Sequence, residues 1–97
     1  EAVELQVEAA VLVKSGYTES MVTARLQELL YRYCEDTAFL STVVSYLGIV
    51  ALVFDCPGVV DVENARINGQ EKSLILTARQ FPVALPVRIS VKEVADA

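Results

Sequence analysis

Asp55-Cys56-Pro57-Gly58-Val59-Val60-Asp61 is where this 97-residue chain turns from helix to sheet. Proline has no N–H to give a helix and restricts the residue before it, while glycine allows a sharp exit. The apolar run upstream must therefore stop here, and the β-branched pair Val59-Val60 starts an extended segment. An irregular strand is expected over 59–67, where Asp61, Glu63 and Asn64 interrupt the alternation as a bulge or an edge position would. Asn68-Gly69 is a hairpin-turn pair. Ser73 to Ala78 reads as a short strand, and Pro82 and Pro86 bracket a connector that cannot donate to a ladder at those points. Val87, Ile89 and Val91 then alternate with Arg88, Ser90 and Lys92 in a closing strand, and the tail Ala95-Asp96-Ala97 is expected to fray.

Upstream, Val3, Leu5, Val7, Ala9, Val11 and Val13 alternate with Glu4, Gln6, Glu8, Ala10, Leu12 and Lys14, which predicts one long half-buried strand. Ser15-Gly16 supplies a turn. Thr18 is placed to cap an amphipathic helix over 18–35, with Glu19 in its first turn where the helix dipole favours a carboxylate. Val22, Leu26, Leu29, Leu30 and Tyr33 form its inner stripe, and Arg25, Glu28, Arg32 and Glu35 its solvated side. A second helix, starting near Leu40, should run to the Pro57-Gly58 stop with Val43, Val44, Leu47, Val50, Ala51 and Phe54 inward. Ile49, Leu52 and Val53 make it apolar almost all round, so it needs cover on more than one side. The uncharged run from Thr37 to Phe54 approaches the length of a membrane span. Acidic flanks, the hydroxyls of Thr37, Ser41, Thr42 and Ser45, and the patterning of the rest argue against membrane insertion.

The predicted fold class is α+β: a single domain over 1–97, with two helices on one face of a mainly antiparallel sheet of about four strands, in the order β-α-α-β-β-β. A first residue other than methionine makes the chain read as a piece cut from a larger protein or a processed form. With 54% hydrophobic residues it can fill a core without staples and has apolar surface to spare. Eight basic residues, none in a run, stand against 13 acidic ones, a balance that disfavours nucleic acid as a partner.

Little here could do chemistry. The chain has no histidine, so acid–base work would fall to carboxylates, lysine, tyrosine or cysteine. Asp61 and Glu63 could share a strand face, but calcium wants about six to eight oxygens. Cys34 and Cys56 lie in or beside apolar helical stretches and read as reduced, hydrophobe-like thiols; a nucleophilic Cys56 has no base near it in sequence. Gly58 and Gly69 belong to separate turns and form no phosphate loop. Tyr31, Tyr33 and Tyr46 read as core or interface packing. No catalytic, cofactor-binding or metal-binding residue is assigned, and an enzyme is not expected.

Taken together, Asp55-Cys56-Pro57-Gly58-Val59-Val60-Asp61, Ile67-Asn68-Gly69 and Phe81-Pro82-Val83-Ala84-Leu85-Pro86-Val87-Arg88-Ile89-Ser90-Val91 resemble the C-terminal domain of the baseplate J-like proteins of contractile phage tails. In that family an uncharged helix runs into a D-x-P-G-V-x-D exit, followed by a strand ending in N-G and a P-V-L-G-like turn into the last strand. The upstream half is similar too, with an alternating strand, a Gly16-Tyr17-Thr18 turn and a helix ending near a tyrosine. Val83-Ala84-Leu85-Pro86 departs from the pattern, since the family often has glycine after that turn. The resemblance implies a structural component of a phage or prophage tail baseplate, assembled in the bacterial cytoplasm. It implies no catalytic residues and no cofactor, and as partners other baseplate or tail proteins in a homo- or hetero-oligomeric assembly. A different class of function also fits the strand–helix–strand grammar: a small ferredoxin-like regulatory domain that binds a ligand.

Overall fold

The computed structural model describes residues 1–40 and 42–94, and the side chains of all of these except 38–40; the tail Ala95-Asp96-Ala97 lies outside the described residues. The elements follow as β1 (Ala2–Leu5), β2 (Val7–Val13), α1 (Glu19–Leu40), β3 (Val43–Val44), α2 (Tyr46–Phe54), β4 (Val59–Ile67), β5 (Leu74–Ile75), β6 (Phe81–Ala84) and β7 (Arg88–Glu93). This is an α+β fold. β2 buries Val7, Ala9, Val11 and Val13 and leaves Glu8, Ala10 and Leu12 half-exposed, so the sheet has a covered and an open face. Val22, Leu26 and Leu30 of α1 and Ile49 and Val53 of α2 join those valines in one core cluster.

Strand pairing is mixed rather than mainly antiparallel. The central sheet has the order β4-β2-β7, with β4 antiparallel and β7 parallel to β2. β1 pairs with β6 in parallel, and β3 with β5 antiparallel. Asn68 and Gly69 form the expected turn, both with positive φ (50° and 79°). That turn closes a single bridge, Ile67 with Gln70, before the chain leaves to pair β5 with β3. β6 then runs alongside β1 in the same direction, so β7 reaches the free edge of β2 parallel to it.

The alternation over 3–13 predicts one unbroken strand, but the ladder is interrupted at Gln6. From Leu5↔Ala84 to Glu8↔Arg88 the first strand advances three residues and its partner four, so the β6–β7 segment carries an extra residue around Pro86. Three amide side chains replace the missing ladder bonds. Gln6 Nε2 donates to Pro86 O (2.7 Å). Gln27 of α1 spans the proline, accepting from Val87 N (2.8 Å) and donating to Leu85 O (3.3 Å). From the other side, Asn68 Oδ1 accepts from Gln6 N (2.8 Å) and Asn68 Nδ2 donates to Glu4 O (3.1 Å). Pro82 lies inside β6 rather than in a connector. Phe81 N and Leu85 N both donate to the β1 side, to Glu1 O and Leu5 O, so by period two the Pro82 nitrogen faces away and costs no ladder bond.

Both helix boundaries differ from the sequence expectation. The expected cap is present at the start of α1, where Met21 N donates to Thr18 Oγ1 (3.3 Å), but α1 continues past residue 35 to Leu40 with Cys34 and Thr37 buried beneath it. Its charged side is as expected, Glu28 pairing with Arg32 at 2.9 Å and with Arg25 at 3.1 Å. α2 begins only at Tyr46, because Ser45 caps it by accepting from Gly48 N (3.1 Å) while Val43-Val44 stay extended against Leu74-Ile75. The uncharged run is thus divided among α1, β3 and α2, and no helix among the described residues is long and apolar enough to cross a membrane. At the α2 exit Gly58 has φ 87°, and a Cβ there would come within 2.3 Å of the Tyr17 ring, so glycine is required twice over.

Candidate interaction surface

The residues weighed for chemistry are dispersed or sealed. β4 carries two bulges: Ala10 pairs with Asn64 and Val11 with Val62, leaving Glu63 extra, and Leu12 pairs with Asp61 and Val13 with Val59, leaving Val60 extra. The irregularity expected there is thus both a bulge and an edge strand. Asp61 Oδ1 accepts from Val62 N at 2.8 Å, a local contact that ties the carboxylate to its own strand. Among the described residues no three His, Cys, Asp or Glu side chains come together as a metal would need. Both cysteines are free and buried, and burial pushes each thiol up to about 11. For Cys56, Arg25 pulls against that shift and Asp55 adds to it. Thiols held protonated in this way are poor nucleophiles at neutral pH. Tyr33 and Tyr46 are structural, the first hydroxyl accepting from Ser45 N (3.0 Å) and the second donating to Ala65 O (2.8 Å).

Part of what the fold leaves outside is apolar. The inner stripe expected for α2 is corrected by the structure: Ile49 and Val53 are the buried pair, whereas Leu47 is 75% exposed, Phe54 49% exposed, and Ala51 exposed between them. Leu47, Ala51 and Phe54 are spaced i, i+4, i+7 and share one helical face. The reason is geometric. Ser45 fixes the start of α2, and that phase turns Ile49 and Val53 towards the core beside β4 and α1. In the strand pair before it, Val44 is buried, and Ile75, opposite Val43, is 70% exposed.

A second apolar area lies between α1 and β6. Tyr31 (52% exposed), Phe81 and Val83 border a shallow groove of about 320 Å³, with Pro82, Ala84 and Cys34 also lining it. Parity explains it: β6 buries Pro82 and exposes Phe81 and Val83. The sequence signals a surplus of hydrophobic residues but does not say which of them stay outside.

Fold and surface together define an α+β module that carries local apolar patches on an otherwise charged and polar surface. No family model matches the chain. It is similar to the phage-like element PBSX protein XkdT of Bacillus subtilis (strain 168), 27% identical over 86 residues. That match takes in 89% of this chain and 25% of the relative, so the chain spans about a quarter of the length of the curated protein it resembles.

Proposed function

We propose that this chain is a structural module of a phage or prophage tail baseplate, of the baseplate J-like kind, which holds neighbouring tail proteins through its uncovered apolar surface. The observation that carries this reading is the similarity to a phage-like element protein along almost the whole chain. The surface supports it: a helical stripe of Leu47, Ala51 and Phe54 exposed to water is costly for an isolated domain and useful in an assembly. On this reading the work is mechanical, with the core rigid and the stripe and the Tyr31–Phe81 groove covered by partners.

The test is an in-frame deletion of the segment encoding these residues in the element that carries it, followed by electron microscopy of induced particles. Tails without baseplates, or no tails, are expected; particles with intact, contractile tails overturn the reading. A reproducible thermal shift of several degrees with one metabolite would instead favour a ligand-binding domain.

A further inference from the structure

The β4-β2-β7 sheet has two outer edges, and they are defended differently. β4 is broken by bulges at Val60 and Glu63, the usual protection of an edge against another strand. β7 is regular, pairing residue for residue from Glu8↔Arg88 to Val13↔Glu93. Val94 N donates to Val13 O at 2.9 Å, which fixes the parity of the strand. The N–H and C=O groups of Arg88, Ser90 and Lys92 therefore face β2, and those of Ile89, Val91 and Glu93 face outward. Among the described residues β2 is the one strand neighbour of β7.

Charge gives this edge a direction. Arg88, Ser90 and Lys92 stand exposed on the open face of the sheet, while Ile89 is buried on the covered side. The register sets Glu8 between Arg66 and Arg88, and Leu12 between Asp61 and Lys92. In a chain of net charge −5, the unbulged edge is thus guarded only by charge, with two cations on its open face that repel a basic strand and suit an acidic one. An open groove of about 690 Å³, lined in part by Glu19 and Thr23 of α1 and by Arg88 and Ser90, leaves room beside it.

We propose that the outer edge of β7 accepts an extended acidic segment of a partner protein as an added strand. Main-chain hydrogen bonds to Ile89, Val91 and Glu93 would supply the affinity, and carboxylates at alternate positions, beside Arg88 and Lys92, the selectivity. A second copy docking through its own β7 fits worse. Bonding Ile89 to Val91 of the copy sets Arg88 opposite Lys92 on both sides of the pair, with like charges directly across the strands. The other edge of such a copy is the bulged β4.

The probe is a blocked peptide of alternating valine and glutamate, about ten residues long, with the valine–lysine counterpart as control, and the readout is amide hydrogen exchange in the 97-residue chain. The glutamate peptide is expected to slow exchange at Ile89, Val91 and Glu93 by about tenfold or more, while the lysine peptide has no effect. Arg88→Glu/Lys92→Glu should reverse that preference, and Val91→Pro, which removes only an outward N–H, should abolish binding with the remaining amides still protected. The proposal is overturned by no protection from the glutamate peptide, by equal protection from both peptides, or by concentration-dependent protection without peptide, which would assign the edge to a second copy. None of these outcomes bears on the place of the chain in a tail, which the deletion tests separately.

Discussion

The two faces of α2 are alike in composition and opposite in fate. One turns Ile49 and Val53 into the core; the other presents Leu47, Ala51 and Phe54 to water. In α1 the contrast is written in charge, with Val22, Leu26 and Leu30 inward and Arg25, Glu28 and Arg32 outward. A helix of the first kind is finished by its own fold. One of the second kind is stable only to the extent that its buried side outweighs the cost of its open one, and burying the open side against a partner releases further free energy, roughly 25 cal/mol per Å² of apolar area. The difference separates residues that make the fold from residues left over for assembly.

The largest effect is expected from placing a charge on the buried face. Ile49→Asp puts a carboxylate among Val44, Val53 and the other core side chains, and the chain should fail to give a cooperative thermal transition. A well-folded variant would show that Ile49 is not core. Next in size is Gly58→Ala at the helix exit. It forces a left-handed conformation on alanine and drives its Cβ into the Tyr17 ring, for an expected loss of about 1–3 kcal/mol in denaturant unfolding. A loss below about 0.5 kcal/mol would mean that the exit is not pinned there.

Much of the fold is legible in the sequence where the signal is local. Thr18 as a cap, Gly16 and Asn68-Gly69 as turns, the alternation of β2 and the Pro57-Gly58 stop each rest on a few adjacent residues with one low-energy arrangement. The phase of α2 is not legible in the same way, because a helix apolar all round carries no moment to say which side is in. Its start is hidden too, since Ser45 is one of several hydroxyl residues in the uncharged run and only the pairing of Val43-Val44 with Leu74-Ile75 selects it. Parallel pairing of β7 and the Gln6–Gln27–Asn68 amides at the Pro86 break join segments far apart in sequence, so no window along the chain contains them. The candidate surface inherits this gap. Its residues are an ordinary hydrophobic set until the fold decides which stay outside.

A smaller effect sharpens the buried side. Cys34 and Cys56 hold their protons up to about pH 11 when folded, against an ordinary thiol value of 9.0. Below the ordinary value both states are protonated and the thiols contribute no pH dependence. As the pH rises through it, the unfolded chain ionises first, so stability should fall between about 9 and 11. Cys34→Ala/Cys56→Ala should flatten that slope in urea midpoints measured across the range, and an unchanged slope would count against sealed thiols. No titratable group sits in the Leu47–Ala51–Phe54 stripe, so the open face predicts no such dependence.

The smallest effect on stability is expected where the effect on function is largest. Leu47→Asp/Ala51→Glu changes only the open face, with the aspartate in the first turn of α2, and its unfolding free energy should stay within about 0.5 kcal/mol per site of the parent. The direct measurement is to introduce this double variant into the element that carries the chain and quantify its incorporation into purified tails, with its stability measured in parallel. A folded domain absent from assembled particles is expected. A folded variant incorporated at the parent level would contradict the assignment of the open face of α2 to assembly, and an unfolded one would contradict the division between its two faces.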